Sequence, residues 1–173
     1  MKNSNKISTL VIFAHGKESG PWGSKIKHLA AIADRLGAMV LSPDYSDLAN
    51  PDARVERLRG LTRPVTDRLV LVGSSMGGYV SCVAAQQERA DGVFLMAPAI
   101  GIKGYAIQNP QPKTQHLSIV MGWNDEVIPV GNVIAFAQSK RAELHLLDSD
   151  HRLDGVLPQV GDLFEQFLRK VMA

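Results

Sequence analysis

Six short, continuously apolar runs punctuate the chain: TLVIFAH, AMVLSPDY, RLVLVGSS, GVFLMAPA, LSIVMGWND and ELHLLDSDH. Between them lie segments of helix length, chiefly Trp22 to Leu36, Asp52 to Leu61, Met76 to Arg89 and Val130 to Lys140, and a last one from Val156 to Val171 follows the sixth run. A strand with one face in water alternates apolar and polar residues. A run apolar at nearly every position needs cover on both faces, which parallel strands obtain from the helices that connect them. The pattern predicts an α/β fold: a doubly wound, mostly parallel six-stranded sheet with helices on both faces. Residues 1–173 read as a single domain, because no repeat, low-complexity stretch or linker interrupts the alternation. The only long irregular segment, GIKGYAIQNPQPKTQ, carries the glycines and prolines of a loop.

Composition narrows the function classes. With 45% hydrophobic residues in 173, one domain can bury a sizeable core. Lys and Arg number 19 against 17 Asp and Glu, for a net charge of +2 spread along the chain, so nucleic-acid binding is not expected. The densest basic stretch, ARVERLRGLTR, places Val55 and Leu58 at helical spacing and reads as a helix whose Arg54, Arg57, Arg59 and Arg63 lie on a solvated face. One cysteine, Cys82, rules out an intramolecular disulfide framework and fits a reducing compartment. The start, MKNSNKISTLVIFAH, lacks a small-residue cleavage pattern, and no run reaches the roughly 20 apolar residues of a membrane span. A cytoplasmic protein with no membrane partner is expected; nothing in the pattern speaks to oligomeric state.

Polar residues cluster where the runs end. His15 and Gly16 follow the first run, Asp44 and Tyr45 the second, Ser75 the third, Asp125 the fifth and His151 the sixth. In an open parallel sheet all these carboxyl ends share one edge, where such folds bind ligands. The third run passes directly into Gly73-Ser74-Ser75-Met76-Gly77, a G-x-S-x-G turn between a strand and a helix of small residues. Gly73 and Gly77 would let strand and helix approach closely, and Ser75 would project above the sheet at a helix N-terminus able to stabilise an oxyanion. A phosphate-cradling dinucleotide turn is the competing reading, but G-x-G-x-x-G and a ribose-binding acid are missing.

A serine hydroxyl needs a base, and the base an orienting acid. Asp125 in GWNDEVIP and His151 in SDHRL follow Ser75 in the order Ser, Asp, His. His28 and His145 fall within a helix and a strand, and His116 lies at the opposite sheet edge. His15 is at the right edge, but the glycine after it suggests a backbone role. For the acid, Asp125 is preferred, because its strand neighbours the one carrying His151, with Asp148 and Asp150 as alternatives. Asp150 is adjacent to His151 and suits a turn better.

The stretches FAHGKESGP, GSSMGG, GWNDEVIP and SDHRL together resemble the α/β-hydrolase family, in particular its small, cap-less bacterial carboxylesterases, and the resemblance spans nearly the whole chain. It implies a minimal α/β-hydrolase fold. It also implies an oxyanion hole formed by the backbone N–H groups of Lys17 and Met76, with His15 bracing the loop that carries Gly16 and Lys17. Compared with larger members the first two strands are missing, the lid is reduced to the loop from Gly101 to Gln115, and no run of glycines follows His15. An open site without a lipase-type cover is implied.

The expectation is therefore a serine hydrolase acting on a small-molecule ester or thioester through an acyl-enzyme, with Ser75 as nucleophile, His151 as base and Asp125 as orienting acid. No metal or cofactor is expected. A non-catalytic binding or regulatory module on the same fold, or peptidase or perhydrolase chemistry on the same residues, are the alternatives. Trp22, Tyr45, Tyr105 and Trp123 are candidates to line an acyl pocket, each equally open to ordinary packing.

Overall fold

The computed structural model describes residues 8–173. The first seven residues, where the leader reading begins, lie outside the described residues. The chain runs β1 (Thr9–Ala14), α1 (Ser24–Arg35), β2 (Met39–Leu41), α2 (Pro51–Arg59), β3 (Arg68–Ser74), α3 (Met76–Gln87), β4 (Gly92–Met96), β5 (His116–Gly122), α4 (Val130–Lys140), β6 (Glu143–Leu147) and α5 (Leu157–Met172), with a 3₁₀ turn at Asp154–Val156. The six strands form one sheet in the order β2-β1-β3-β4-β5-β6. Every pairing is parallel, so the sheet expected to be mostly parallel is wholly so.

Strand order dictates where the helices lie. From β1 the chain steps outward to β2, then returns past β1 to β3 and continues in one direction to β6. Right-handed crossovers moving in opposite directions place their helices on opposite faces. α1 therefore covers one face with α5, and α2 and α3 pack together on the other. α5 buries Val160, Gly161, Phe164, Phe167, Leu168 and Val171, a stripe at helical spacing. Phe164 meets Phe94 of β4 edge-on at 5.2 Å between ring centroids. Gly92 leaves the space that Phe167 and Val171 occupy, since a Cβ there would sit 2.8 Å from each. No helix among the described residues is long and apolar enough to cross a membrane.

α2 corrects one expectation. Asn50 caps it through Oδ1, which accepts from Asp52 N at 2.8 Å and Ala53 N at 3.3 Å, and Pro51 opens the first turn. Arg57 and Arg59 form surface pairs with Asp47 and Glu56. Arg54, in contrast, is only 2% exposed. The reason is helical spacing: Arg54 stands four residues before Leu58 and next to Val55, so it belongs to the buried stripe.

Candidate active site

The sheet order reverses between β1 and β3, and the crevice above their carboxyl ends is the default ligand site of such a fold. Ser75 is the single residue between β3 and α3, with φ 55° and ψ −119°, a conformation that residues with a Cβ rarely adopt. Neighbouring backbone holds it there. Its N–H donates to Met96 O at 3.0 Å, and its carbonyl accepts from Gly78 N and Ala99 N at 2.9 Å each. A Cβ on Gly73 would run into the Gly77 carbonyl, and one on Gly77 into the Ala14 carbonyl. Gly78 is equally constrained, with Pro98 2.7 Å from where its Cβ would be. The last glycine of GSSMGG was its sequence signal.

The loops after β5 and β6 bring the other two residues in. His151 Nε2 lies 3.1 Å from Ser75 Oγ, and His151 Nδ1 lies 2.7 Å from Asp125 Oδ2. The Asp125 side chain is fully buried, and its Oδ1 accepts from Val127 N at 2.8 Å and Ile128 N at 2.7 Å. The alternative acids are engaged elsewhere. Asp150 Oδ1 accepts from Arg152 N and Leu153 N at 3.0 and 3.2 Å, making the turn after it, and Asp148 Oδ1 accepts from Asn124 Nδ2 at 2.9 Å.

Three features outside the sequence reading keep these loops in register. Trp123 N donates to Leu147 O at 2.9 Å and Asn124 N to Ser149 O at 3.0 Å, which ties one loop to the other. Gly122 permits that approach, because a Cβ on it would collide with the Ser149 and Asp150 carbonyls. Lys25 Nζ, from α1, donates to Arg152 O at 2.7 Å beside His151, and burial pushes its pKa down. A glycine ending a buried strand just before an acid was the available signal for the second of these.

His15 and Gly16 form the opposite wall. His15 is buried, and its Nε2 accepts from Tyr45 N at 2.9 Å. The ring hydrogen therefore sits on Nδ1 and is donated to Gly16 O at 2.7 Å. Gly16 lies against the nucleophile position, since a Cβ on it would be 3.5 Å from Ser75 Cβ. Arg54, missed from the sequence because it was assigned to the solvated face, reaches the same loop. Its Nη1 donates to His15 O and Gly16 O, both at 3.2 Å. Among the described residues the N–H groups of Lys17 and Met76 donate to no protein acceptor.

These walls enclose a cleft of about 930 Å³ into which Lys17, Ser75, Met76 and His151 open. Ile26, Ile102, Tyr105, Val127 and Ile128 supply its apolar lining. Of the four aromatic candidates only Tyr105 lines it, held edge-on against Tyr79 at 4.8 Å. Tyr45 is fully buried, packed on the His15 ring at 5.4 Å, and Trp22 and Trp123 are 47% and 56% exposed outside the lining. Trp22 precedes α1 instead of opening it, because the helix begins at Ser24.

Residues 10–107, over half of the chain, match the model of an uncharacterised protein family, UPF0227. Among solved structures the chain is similar to a Xanthomonas campestris pv. campestris protein assigned to the alpha/beta hydrolase superfamily. The two are 33% identical over 94% of this chain and 98% of that one, with a TM-score of 0.82. The fold is shared with Est1E from Butyrivibrio proteoclasticus, at 18% identity over 99% of this chain and 91% of that one, TM-score 0.78. It is shared too with an a/b serine hydrolase without lid from Xanthomonas campestris, at 20% identity over 98% of this chain and 85% of that one, TM-score 0.73. No functionally curated protein matches the sequence.

Proposed function

The chain belongs to the uncharacterised protein family UPF0227 and has the α/β-hydrolase fold, and we propose that it is a serine hydrolase cleaving small carboxylic esters or thioesters through an acyl-enzyme. One observation carries this reading: a continuous hydrogen-bonded line from Ser75 Oγ through the His151 ring to Asp125, opening into an apolar cleft.

The chemistry follows from that line. Asp125 accepts the hydrogen of His151 Nδ1 and so leaves Nε2 free to accept from the serine hydroxyl. As Ser75 Oγ bonds to the substrate carbonyl carbon, its proton passes to Nε2, and the negative charge moves to the carbonyl oxygen. The unengaged N–H groups of Lys17 and Met76, the latter at the positive end of α3, are the donors for that oxygen. Collapse of the tetrahedral species breaks the bond to the alkoxide or thiolate, which takes the proton from Nε2. Water repeats the sequence on the acyl-serine, releasing the acid and restoring Ser75. Asp125 keeps its charge throughout, held by two backbone N–H groups in addition to the imidazole.

The test is hydrolysis of p-nitrophenyl acetate, p-nitrophenyl butyrate and a short acyl thioester by the wild type and Ser75→Ala. We expect turnover that Ser75→Ala abolishes while the fold is kept. A folded wild type that turns over none of them, or a Ser75→Ala variant as active as wild type, would overturn the reading.

A further inference from the structure

Arg54 is among the largest fully buried side chains of the protein, and no carboxylate among the described residues pairs with its guanidinium. An arginine stays charged in a protein, and burying an unpaired ion is costly enough that an apolar side chain would serve a merely structural role better. What surrounds the charge is backbone carbonyl: Nε donates to Leu48 O at 2.7 Å, and Nη1 to His15 O and Gly16 O at 3.2 Å. The Tyr45 ring adds a face 5.9 Å from Cζ. Two of the three carbonyls belong to the loop beside Ser75.

Those carbonyls decide where N–H groups point. The Gly16–Lys17 amide is trans and planar, so its C=O and N–H are antiparallel. Drawing Gly16 O inward, onto His15 Nδ1 and Arg54 Nη1 together, turns the Lys17 N–H away from the interior. A cation on the carbonyl end also polarises the amide and makes its N–H a stronger donor. We propose that Arg54 is a positioning residue for the oxyanion hole, clamping and polarising the Gly16–Lys17 peptide so that the Lys17 N–H meets the charge that develops on the substrate carbonyl; this rests on the serine-hydrolase reading. His15 fixes the same peptide by geometry, and Arg54 adds the charge. The benefit appears only when the carbonyl oxygen becomes negative, so it acts on the transition state more than on bound substrate.

Wild type, Arg54→Lys and Arg54→Met are to be compared on p-nitrophenyl butyrate and with two inhibitors of one skeleton, melting temperature being read for each variant. One inhibitor is a trifluoromethyl ketone, to which Ser75 Oγ adds while its proton goes to His151, leaving an oxyanion; the other is the matching secondary alcohol, which binds without one. In Arg54→Met we expect kcat to fall about 10- to 100-fold with KM within about threefold, and the ketone to weaken in step with kcat while the alcohol does not. Arg54→Lys keeps the charge without the fork and should lie between; if the Met variant does not fold, it carries the comparison. Unchanged kcat and ketone affinity in a folded variant, or equal weakening of ketone and alcohol, would overturn the clamp alone if wild type is active. A wild type that neither turns over the ester nor adds to the ketone would overturn the hydrolase reading and the clamp with it.

Discussion

Asp125 Oδ2 lies 2.7 Å from His151 Nδ1, on the side of the imidazole away from Ser75. Asn at position 125 would present an amide N–H to Nδ1 and favour the tautomer with its hydrogen on Nε2, facing the serine. We expect Asp125→Asn to lower kcat by up to about 10⁴-fold. Asp150→Asn should cost far less, because its side-chain carbonyl can still accept from Arg152 N and Leu153 N. Steady-state kinetics on p-nitrophenyl butyrate, with melting temperatures as control, check the ranking; the reverse order would move the acid to the loop before His151.

Glycines should separate cleanly by what a methyl group would meet. At Gly77 it would strike the Ala14 carbonyl, part of the β1 backbone, whereas at Gly131 in α4 nothing lies within 4 Å. Urea denaturation should show Gly77→Ala destabilised by more than about 4 kcal/mol or unable to fold. Gly131→Ala should gain up to about 1 kcal/mol from helix propensity and lower unfolded-state entropy.

The elements and the line Ser75, His151, Asp125 were readable because each residue stands in the turn or loop just after a continuous apolar run, and parallel connection brings run ends to one edge. What escaped reading depends on tertiary contact. Arg54 carries a charge on a helix with two other arginines, so its charge assigned it outward, although its place beside Val55 and four before Leu58 puts it on the buried stripe. Trp22 and Trp123 look like pocket aromatics by type and neighbourhood, yet both point outward. Tyr45 follows a strand end, but its N–H is held by His15 and its ring goes under that histidine. Gly122 matters only because the next loop passes over it.

Acid should weaken the link between α1 and α5. Glu165 accepts from Arg35 at 2.6 Å and Arg169 at 2.7 Å, and these hydrogen bonds draw its pKa from 4.5 down to about 2. A pKa lowered on folding stabilises above the unfolded value and is lost as pH falls through the folded one. The stability difference between wild type and Glu165→Gln should thus be full at neutral pH, shrink between about pH 4.5 and 2, and diminish with salt. Urea midpoints across that range check it; a difference that grows toward acid would contradict it.

Substrate length should be limited by the missing lid. The loop from Gly101 to Gln115 gives the cleft Ile102 and Tyr105 and is tied down, with Gln108 Nε2 donating to Ile102 O and Tyr105 O at 2.8 and 2.6 Å and Ile107 N to Tyr79 Oη at 3.3 Å. Each buried methylene is worth about 0.8 kcal/mol, roughly fourfold in kcat/KM, until the chain leaves the cleft. Acyl groups of about two to six carbons should therefore be preferred, with no activation at a lipid interface. p-Nitrophenyl esters from acetate to palmitate, above and below micelle formation, check this; a steady rise to palmitate or a jump with micelles would mean the loop opens and closes as a lid.

The most direct measurement is the site of fluorophosphonate labelling, read by mass spectrometry of the intact and digested protein. A serine attacks phosphorus quickly only with a base beside it and donors for the developing charge. With His151 Nε2 at 3.1 Å from Ser75 Oγ, one phosphonyl group should be found on Ser75, and Ser75→Ala should lose it while Ser74→Ala keeps it. Labelling that survives Ser75→Ala, or a folded wild type that takes up no probe, would contradict nucleophilic catalysis at Ser75.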